Sequence, residues 1–221
     1  MERAPWYVAG VLGVSLAAVI LLAGPLLLFN PLFVSALQQR HEVAAAFSVQ
    51  QSEVDRVTTE ILVDLVTDGD FDAAFAGEAA LLDERERSHM HDVARLVRIL
   101  GIVVLVSAVL AVLCARRMRG EPRRVGAVML RTAAVIGAAA LALALTFAIA
   151  FEPAFLAFHA LFFPPDSYLF GPGSNLITLF PEGFWFDASL AAGASILISA
   201  ALCAWAGYRL TRAGPQSPLP A

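Results

Sequence analysis

Leu96-Val-Arg-Ile-Leu-Gly-Ile-Val-Val-Leu-Val-Ser-Ala-Val-Leu-Ala-Val-Leu-Cys-Ala115, followed at once by Arg116-Arg-Met-Arg-Gly-Glu-Pro-Arg-Arg124, sets the architecture. At 1.5 Å rise per residue, about 20 apolar helical residues match the roughly 30 Å hydrocarbon core of a bilayer. The arginines behind them mark a cytoplasmic end, because short cytoplasmic loops collect basic side chains. On either side, three more stretches meet the same length requirement: Tyr7 to Phe29, Thr132 to Phe151 and Ala188 to Leu210. The first is too long for a secretory signal core of about 7–15 residues, since its apolar run continues through Leu26-Leu-Leu-Phe29.

Arg116, Arg117, Arg119, Arg123, Arg124 and Arg131 all stand between the second and third spans. With that loop inside, both termini are cytoplasmic, in agreement with Arg3 at one end and Arg209 and Arg212 at the other. The expected order is a first span over residues 1–29, an extracytoplasmic helical segment over 30–92, and a second span over 93–115. A cytoplasmic arginine-rich loop (116–131), a third span (132–151), an extracytoplasmic aromatic loop (152–187), a fourth span (188–210) and a disordered cytoplasmic tail (211–221) complete it. The expected fold class is an all-α integral membrane protein of a bacterial cytoplasmic membrane, a four-transmembrane-helix bundle with an extracytoplasmic, mainly helical cap.

Composition agrees. Hydrophobic residues make up 59% and charged residues 15% of the 221, against about 45–50% and 25% in a soluble domain. All 15 basic residues are arginine, yet the net charge is −4, so no overall basic character favours nucleic acid. Asn30 to Asp92 holds 13 acidic residues against four arginines, and Glu152 to Asp187 holds four against none. Most of these acids fit a solvated outer surface. Cys114 and Cys203 lie in apolar runs and read as small packing residues.

The first outer segment is long enough to fold. Val54, Val57, Ile61 and Leu65 recur at helical spacing, with Ser48 and Gln51 placed like a capping box and Asp68-Gly69 as a stop. A second, shorter helix is expected to carry Phe71 and Phe75.

Histidine supplies the candidate chemistry. On a helix His89 and Asp92 share a face, while His91 stands about 200° away from His89. If the second helix begins before His89, that imidazole stands about 10 Å beyond Leu96, at the depth of lipid esters and head groups. His159 lies in Phe155-Leu-Ala-Phe-His-Ala-Leu-Phe-Phe163. Apolar surroundings keep an imidazole neutral near pH 7, as a general base requires. A histidine that only anchors a helix end fits the same pattern, and His41 and His91 are weaker candidates. Glu182, between Pro181 and Gly183, is placed either to assist an imidazole or as a solvated turn residue. Arg95 and Arg98 suit an outer acid such as Asp92 or a lipid phosphate.

Glu86-Arg-Ser-His-Met-His-Asp-Val93, Phe158-His-Ala-Leu-Phe-Phe163 and Leu176-Ile-Thr-Leu-Phe-Pro-Glu-Gly-Phe184 together resemble the DUF1461-type integral membrane proteins, a family that includes bacterial lipoprotein intramolecular transacylase. The resemblance implies four spans and a large outer segment. It also implies movement of the sn-2 acyl chain of a diacylglyceryl lipoprotein onto the α-amino group of its own N-terminal cysteine, leaving a lyso-form lipoprotein. The implied catalytic pair is His89 and His159, with Asp92 and Glu182 available to orient the rings. Membrane lipids and diacylated bacterial lipoproteins are the implied partners, and the reaction needs no metal and no cofactor. Ala94, Tyr168 and Asn175 depart from the family's common pattern of lysine, tryptophan and acid at those places.

Two other classes of function fit the residues alone. One is a metal-binding or sensory membrane protein using His89, His91, Asp92 and His159, although His89 and His91 point apart on a single helix. The other is a non-catalytic scaffold whose outer segment binds an envelope partner.

Overall fold

The computed structural model describes residues 3–212. Among these the chain forms nine helices and no strand: α1 (Trp6–Leu27), α2 (Pro31–Arg40), α3 (Val43–Phe47), α4 (Gln51–Thr67), α5 (Glu84–Arg117), α6 (Pro122–Ile149), α7 (Phe151–Phe162), α8 (Asn175–Leu179) and α9 (Glu182–Arg212). Four of them, α1, α5, α6 and α9, are long and apolar enough to cross a membrane. The fold is therefore all-α with four membrane helices, as the composition requires. The terminal tail expected from residue 211 lies, beyond residue 212, outside the described residues.

At 34 residues α5 exceeds the crossing length. Its first 15 residues, Glu84 to Arg98, carry seven charges, whereas the stretch from Ile99 to Ala115 carries none. The crossing part therefore begins after Arg98, and the first turns of α5 stand outside the hydrocarbon.

The chain divides into two compact units. One comprises residues 1–24, 101–142 and 193–221. Here Leu12, Met118 and Val125 pack with Val8, Cys114 and Leu210, and Ile20, Ala133 and Ala200 form a second cluster with Ile196 and Cys203. Small residues let backbones meet: a Cβ on Gly126 would lie 2.5 Å from the carbonyl oxygen of Gly207. Where α5 turns into α6, Glu121 accepts from the Ala4 N–H at 2.6 Å and Arg124 donates to the Ala4 carbonyl at 2.6 Å. The Glu121 carboxyl is held below its ordinary pKa, first by that backbone bond and then by Arg124.

The second unit comprises residues 25–100 and 143–192. Asn30 caps α2 by accepting the Phe33 N–H at 3.0 Å, with Pro31 in the first turn where its missing N–H costs nothing. The apolar face of α4, Val54, Val57, Ile61 and Leu65, is buried against Val34, Val43, Phe71, Leu82, Met90 and Leu179. Each such side chain contributes about 1.5–3 kcal/mol by leaving water. A buried polar link crosses this core: Gln38 Nε2 donates to the Leu179 carbonyl at 3.1 Å, and the amide pairs with the Thr58 hydroxyl.

Three local expectations fail here. Ser48 does not cap α4; it ends α3 in a left-handed conformation, and α4 starts behind Gln50 without a side-chain cap. Phe71 and Phe75 are buried but not helical. The Asp64 carboxylate takes the Phe71 N–H at 2.9 Å, and the Phe71 backbone is left-handed (φ 54°), so no helix propagates through it. The aromatic segment after the third span is not a plain loop, since it contains α7 and α8. The stop at Asp68 does occur, with the residue in a left-handed C-cap.

Candidate active site

The site lies wholly within the second unit and begins with the first turn of α5. Asp83 and Glu86 form a reciprocal cap: Asp83 Oδ1 accepts the Glu86 N–H at 2.8 Å and Glu86 Oε2 accepts the Asp83 N–H at 2.9 Å. One turn later His89 is buried, with 6% of its surface exposed. Its Nδ1 has no hydrogen-bond partner among the described residues.

His159 comes from α7. Its Nδ1 lies 2.9 Å from the carbonyl oxygen of Phe155, one turn back. A carbonyl can only accept, so Nδ1 carries the proton and Nε2 holds the free lone pair. The His89 and His159 rings stack with centroids 6.1 Å apart and planes 27° from parallel. Phe163 touches both, at 4.9 Å from His89 and 5.4 Å from His159. Phe170 packs on His89 at 5.6 Å, and Tyr168 and Phe155 on His159 at 5.3 and 4.2 Å.

This aromatic box has an electrostatic consequence. Burial first and the neighbouring His159 second, opposed by Asp92, together lower the His89 pKa to about 4. Burial also lowers His159, against the Phe155 hydrogen bond. Both imidazoles are neutral at pH 7, able to accept a proton and, once protonated, to return it.

The remaining candidates are distributed around this pair. Asp92, one turn after His89, acts on it through charge and lies 3.4 Å from the mostly exposed Arg95. Arg98 pairs at 2.6 Å with Asp68, an acid that spacing alone does not single out. Glu182 opens α9 in an exposed position and makes no hydrogen bond to either imidazole. His41 joins Asp187 at 2.9 Å, and Arg40 joins the same oxygen at 3.2 Å. His91 turns from His89 as its spacing requires, packs edge-on against Phe71 at 5.1 Å, and borders an open acidic cleft of about 560 Å³ with Asp70, Asp72 and Glu84.

Sequence reasoning passed over Glu86 and Arg85. Glu86 is 2% exposed, and beyond its capping bond its Oε1 accepts the Leu176 N–H at 3.0 Å and the Ser174 hydroxyl. Arg85 reaches the carbonyls of Asp166 and Leu169 and lies over the Phe170 ring. The pattern Asp83-Glu-Arg-Glu86 is a capping signature and was the available signal.

Four membrane helices and a stacked pair of neutral imidazoles, His89 buried and His159 half-buried, outside the crossing stretches define a multi-pass membrane protein with a histidine-based candidate site. The chain belongs to the Lit family, lipoprotein intramolecular transacylase Lit, whose model matches residues 10–185. It is thereby a member of an acyltransferase family. Its fold is similar to the in meso structure of the membrane integral lipoprotein intramolecular transacylase Lit from Bacillus cereus, with TM-score 0.81, 21% identity, and coverage of 93% of this chain and 94% of that one. Two variants of that protein, with one histidine replaced by arginine or by alanine, match with TM-scores 0.74 and 0.72 at 20% identity. The arginine variant covers 92% of this chain and 90% of that one, and the alanine variant 93% and 91%. No curated protein matches the sequence.

Proposed function

We propose that this protein moves the sn-2 acyl chain of a diacylglyceryl lipoprotein to the α-amino group of the same N-terminal cysteine, at the outer face of a bacterial cytoplasmic membrane. The observation that carries this reading is the stacked, neutral His89–His159 pair in a chain of a transacylase family.

The sidedness follows from charge. Residues 25–100 and 143–192 hold 17 of the 19 acidic residues, while nine of the 15 arginines fall in the rest of the chain. The positive-inside tendency then puts the arginine loop and both termini in the cytoplasm and the histidines outside. Exposed Leu156, Phe158 and Leu161 on α7 suit a lipid boundary better than water.

An α-amino group has a pKa of about 7.7–8.0 and must shed its proton before attacking an ester. That proton goes to solvent, and one imidazole accepts a second N–H proton from the neutral amine as nitrogen bonds to the carbonyl carbon. The carbon–oxygen bond to glycerol then breaks, and the departing sn-2 oxygen takes a proton back from an imidazolium. The acyl chain ends on nitrogen and the glycerol regains a hydroxyl, so atoms and charge balance. Because amine and ester belong to one molecule, orientation contributes roughly 7–11 kcal/mol. What is left to the protein is proton transfer and exclusion of water. Asp92 biases His89 through its charge, and Arg95 is available to a lipid phosphate.

The test is expression in a bacterium making diacylated lipoproteins, with mass spectrometry of lipoprotein N-termini. N-acyl, mono-O-acyl cysteine is expected. Unchanged N-termini would refute the assignment.

A further inference from the structure

The segment from Pro164 to Ser174 crosses between α7 and α8 and brings Tyr168 onto His159 and Phe170 onto His89. It has no regular secondary structure of its own. Two adjacent side chains in the first turn of α5 hold it at both ends. Arg85 Nη2 donates to the Asp166 and Leu169 carbonyls at 3.3 and 3.4 Å, and its guanidinium stands 5.9 Å from the Phe170 ring centroid. Glu86 takes the other end through the Ser174 hydroxyl and the Leu176 N–H, while Asn175 Nδ2 donates to the Leu81 carbonyl at 2.7 Å.

A helix cap needs only one carboxylate oxygen, and Glu86 Oε2 serves it. The second oxygen is directed to residues 174 and 176, 88 and 90 positions away in the chain. A carboxylate buried with all its donors supplied by backbone and hydroxyl groups gives a stiff junction, since each charge-assisted bond is strong and the group has no route back to water.

We propose that Arg85 and Glu86 are positioning residues that clamp the 164–174 strap over the imidazole pair and so keep water from the acyl ester. This deepens the transacylase reading and rests on it. In a closed site the amine is the only nucleophile. With the strap loosened, water attacks the same ester carbonyl, the bond to glycerol breaks, the sn-2 oxygen takes the proton, and a free fatty acid leaves while the cysteine amine stays unacylated. Transfer leaves the lipoprotein's mass unchanged, whereas hydrolysis removes one acyl chain, so one spectrum separates the two.

The experiment uses the full-length protein in detergent–lipid micelles with a synthetic diacylglyceryl-cysteine peptide, measuring free fatty acid and N-acyl peptide together. Glu86→Gln keeps shape and removes the charge; Arg85→Ala acts on the exposed side of the clamp and leaves the α5 cap intact. We expect the hydrolysis-to-transfer ratio to rise roughly tenfold in each, with Arg85→Lys recovering part of the loss. A lower total rate at an unchanged ratio in both variants overturns the clamp and leaves these residues merely structural. If Glu86→Gln does not fold, Arg85→Ala alone decides by the same ratio. If the unmodified protein forms neither product, the transacylase reading fails and the clamp falls with it.

Discussion

His159 Nδ1 donates to the carbonyl oxygen of Phe155 at 2.9 Å, so the tautomer of this ring is set by its own helix and Nε2 is left as the basic nitrogen. His89 has no such anchor, since its Nδ1 is buried without a partner among the described residues. The pair is asymmetric, with one ring fixed by a hydrogen bond and the other packed against Phe163 and Phe170. Replacing either by alanine removes half of a proton relay, and each of His89→Ala and His159→Ala is expected to lower N-acyl transfer by about 100- to 10,000-fold. The check is the yield of N-acyl product per protein; near-normal yield in both variants would remove the pair from the reaction.

Desolvation of the two rings, full burial for His89 and partial for His159, also makes stability depend on pH. Each has a folded pKa below its ordinary value of 6.5, that of His89 by the larger amount, to about 4. The unfolded chain therefore binds more protons than the folded one between those values. The sign is that stability holds above pH 6.5 and drains as the pH falls towards 4, without further loss from this source below that. Thermal unfolding in micelles from pH 4 to 8 should show a flat upper limb and a falling lower one. His89→Phe should flatten the lower limb; a fall of equal size in that variant would place its origin elsewhere.

The membrane helices and the face of α5 that carries His89 were legible because they are written locally, whereas its meeting with His159, 70 positions on, was expected only from the family resemblance. Twenty apolar residues need no partner to be recognised, and the spacing of His89, His91 and Asp92 separates the faces of one helix. What escaped is long-range or conformational. Arg98 finds Asp68 and His41 finds Asp187 across 146 positions, pairings that no spacing encodes. Phe71 looked helical by its repeat with Phe75, yet it takes a left-handed conformation because Asp64 captures its N–H. Ser48 had the right neighbours for a cap and was consumed as the end of α3. Glu86 did carry a local signal, the capping pattern with Asp83, but the use of its second oxygen appears only once residues 174–176 are folded against it.

Gln38 offers a test of the second unit's core. Its amide is fully buried and is a donor to the Leu179 carbonyl. Gln38→Leu keeps the bulk but leaves that carbonyl and the Thr58 hydroxyl without this partner, at a cost of about 1–3 kcal/mol. The double replacement Gln38→Leu with Thr58→Val removes the hydroxyl as well and should recover part of the loss. Chemical denaturation in micelles measures both; a double variant as unstable as the sum of its single changes would show that the two side chains are not coupled.

The contact of α6 with α9 tests the other unit. A Cβ on Gly207 would lie 2.8 Å from the carbonyl oxygen of Gly126, 2.9 Å from the Met129 Cβ and 3.2 Å from the Leu130 nitrogen. Two of these atoms are backbone, so the helices must separate to admit it. Separation strips contacts from neighbours such as Cys203, whose thiol reaches the Met129 carbonyl. Gly207→Val is therefore expected to destabilise by about 1–3 kcal/mol, the usual range for overpacking. Gly10→Ala is the matched control, because a Cβ at Gly10 meets nothing within 4 Å. The comparison is the unfolding midpoint of both variants in the same micelle. Equal midpoints would mean that the α6–α9 contact is not the close approach described, whereas a lower midpoint for Gly207→Val alone assigns the loss to backbone crowding at that crossing.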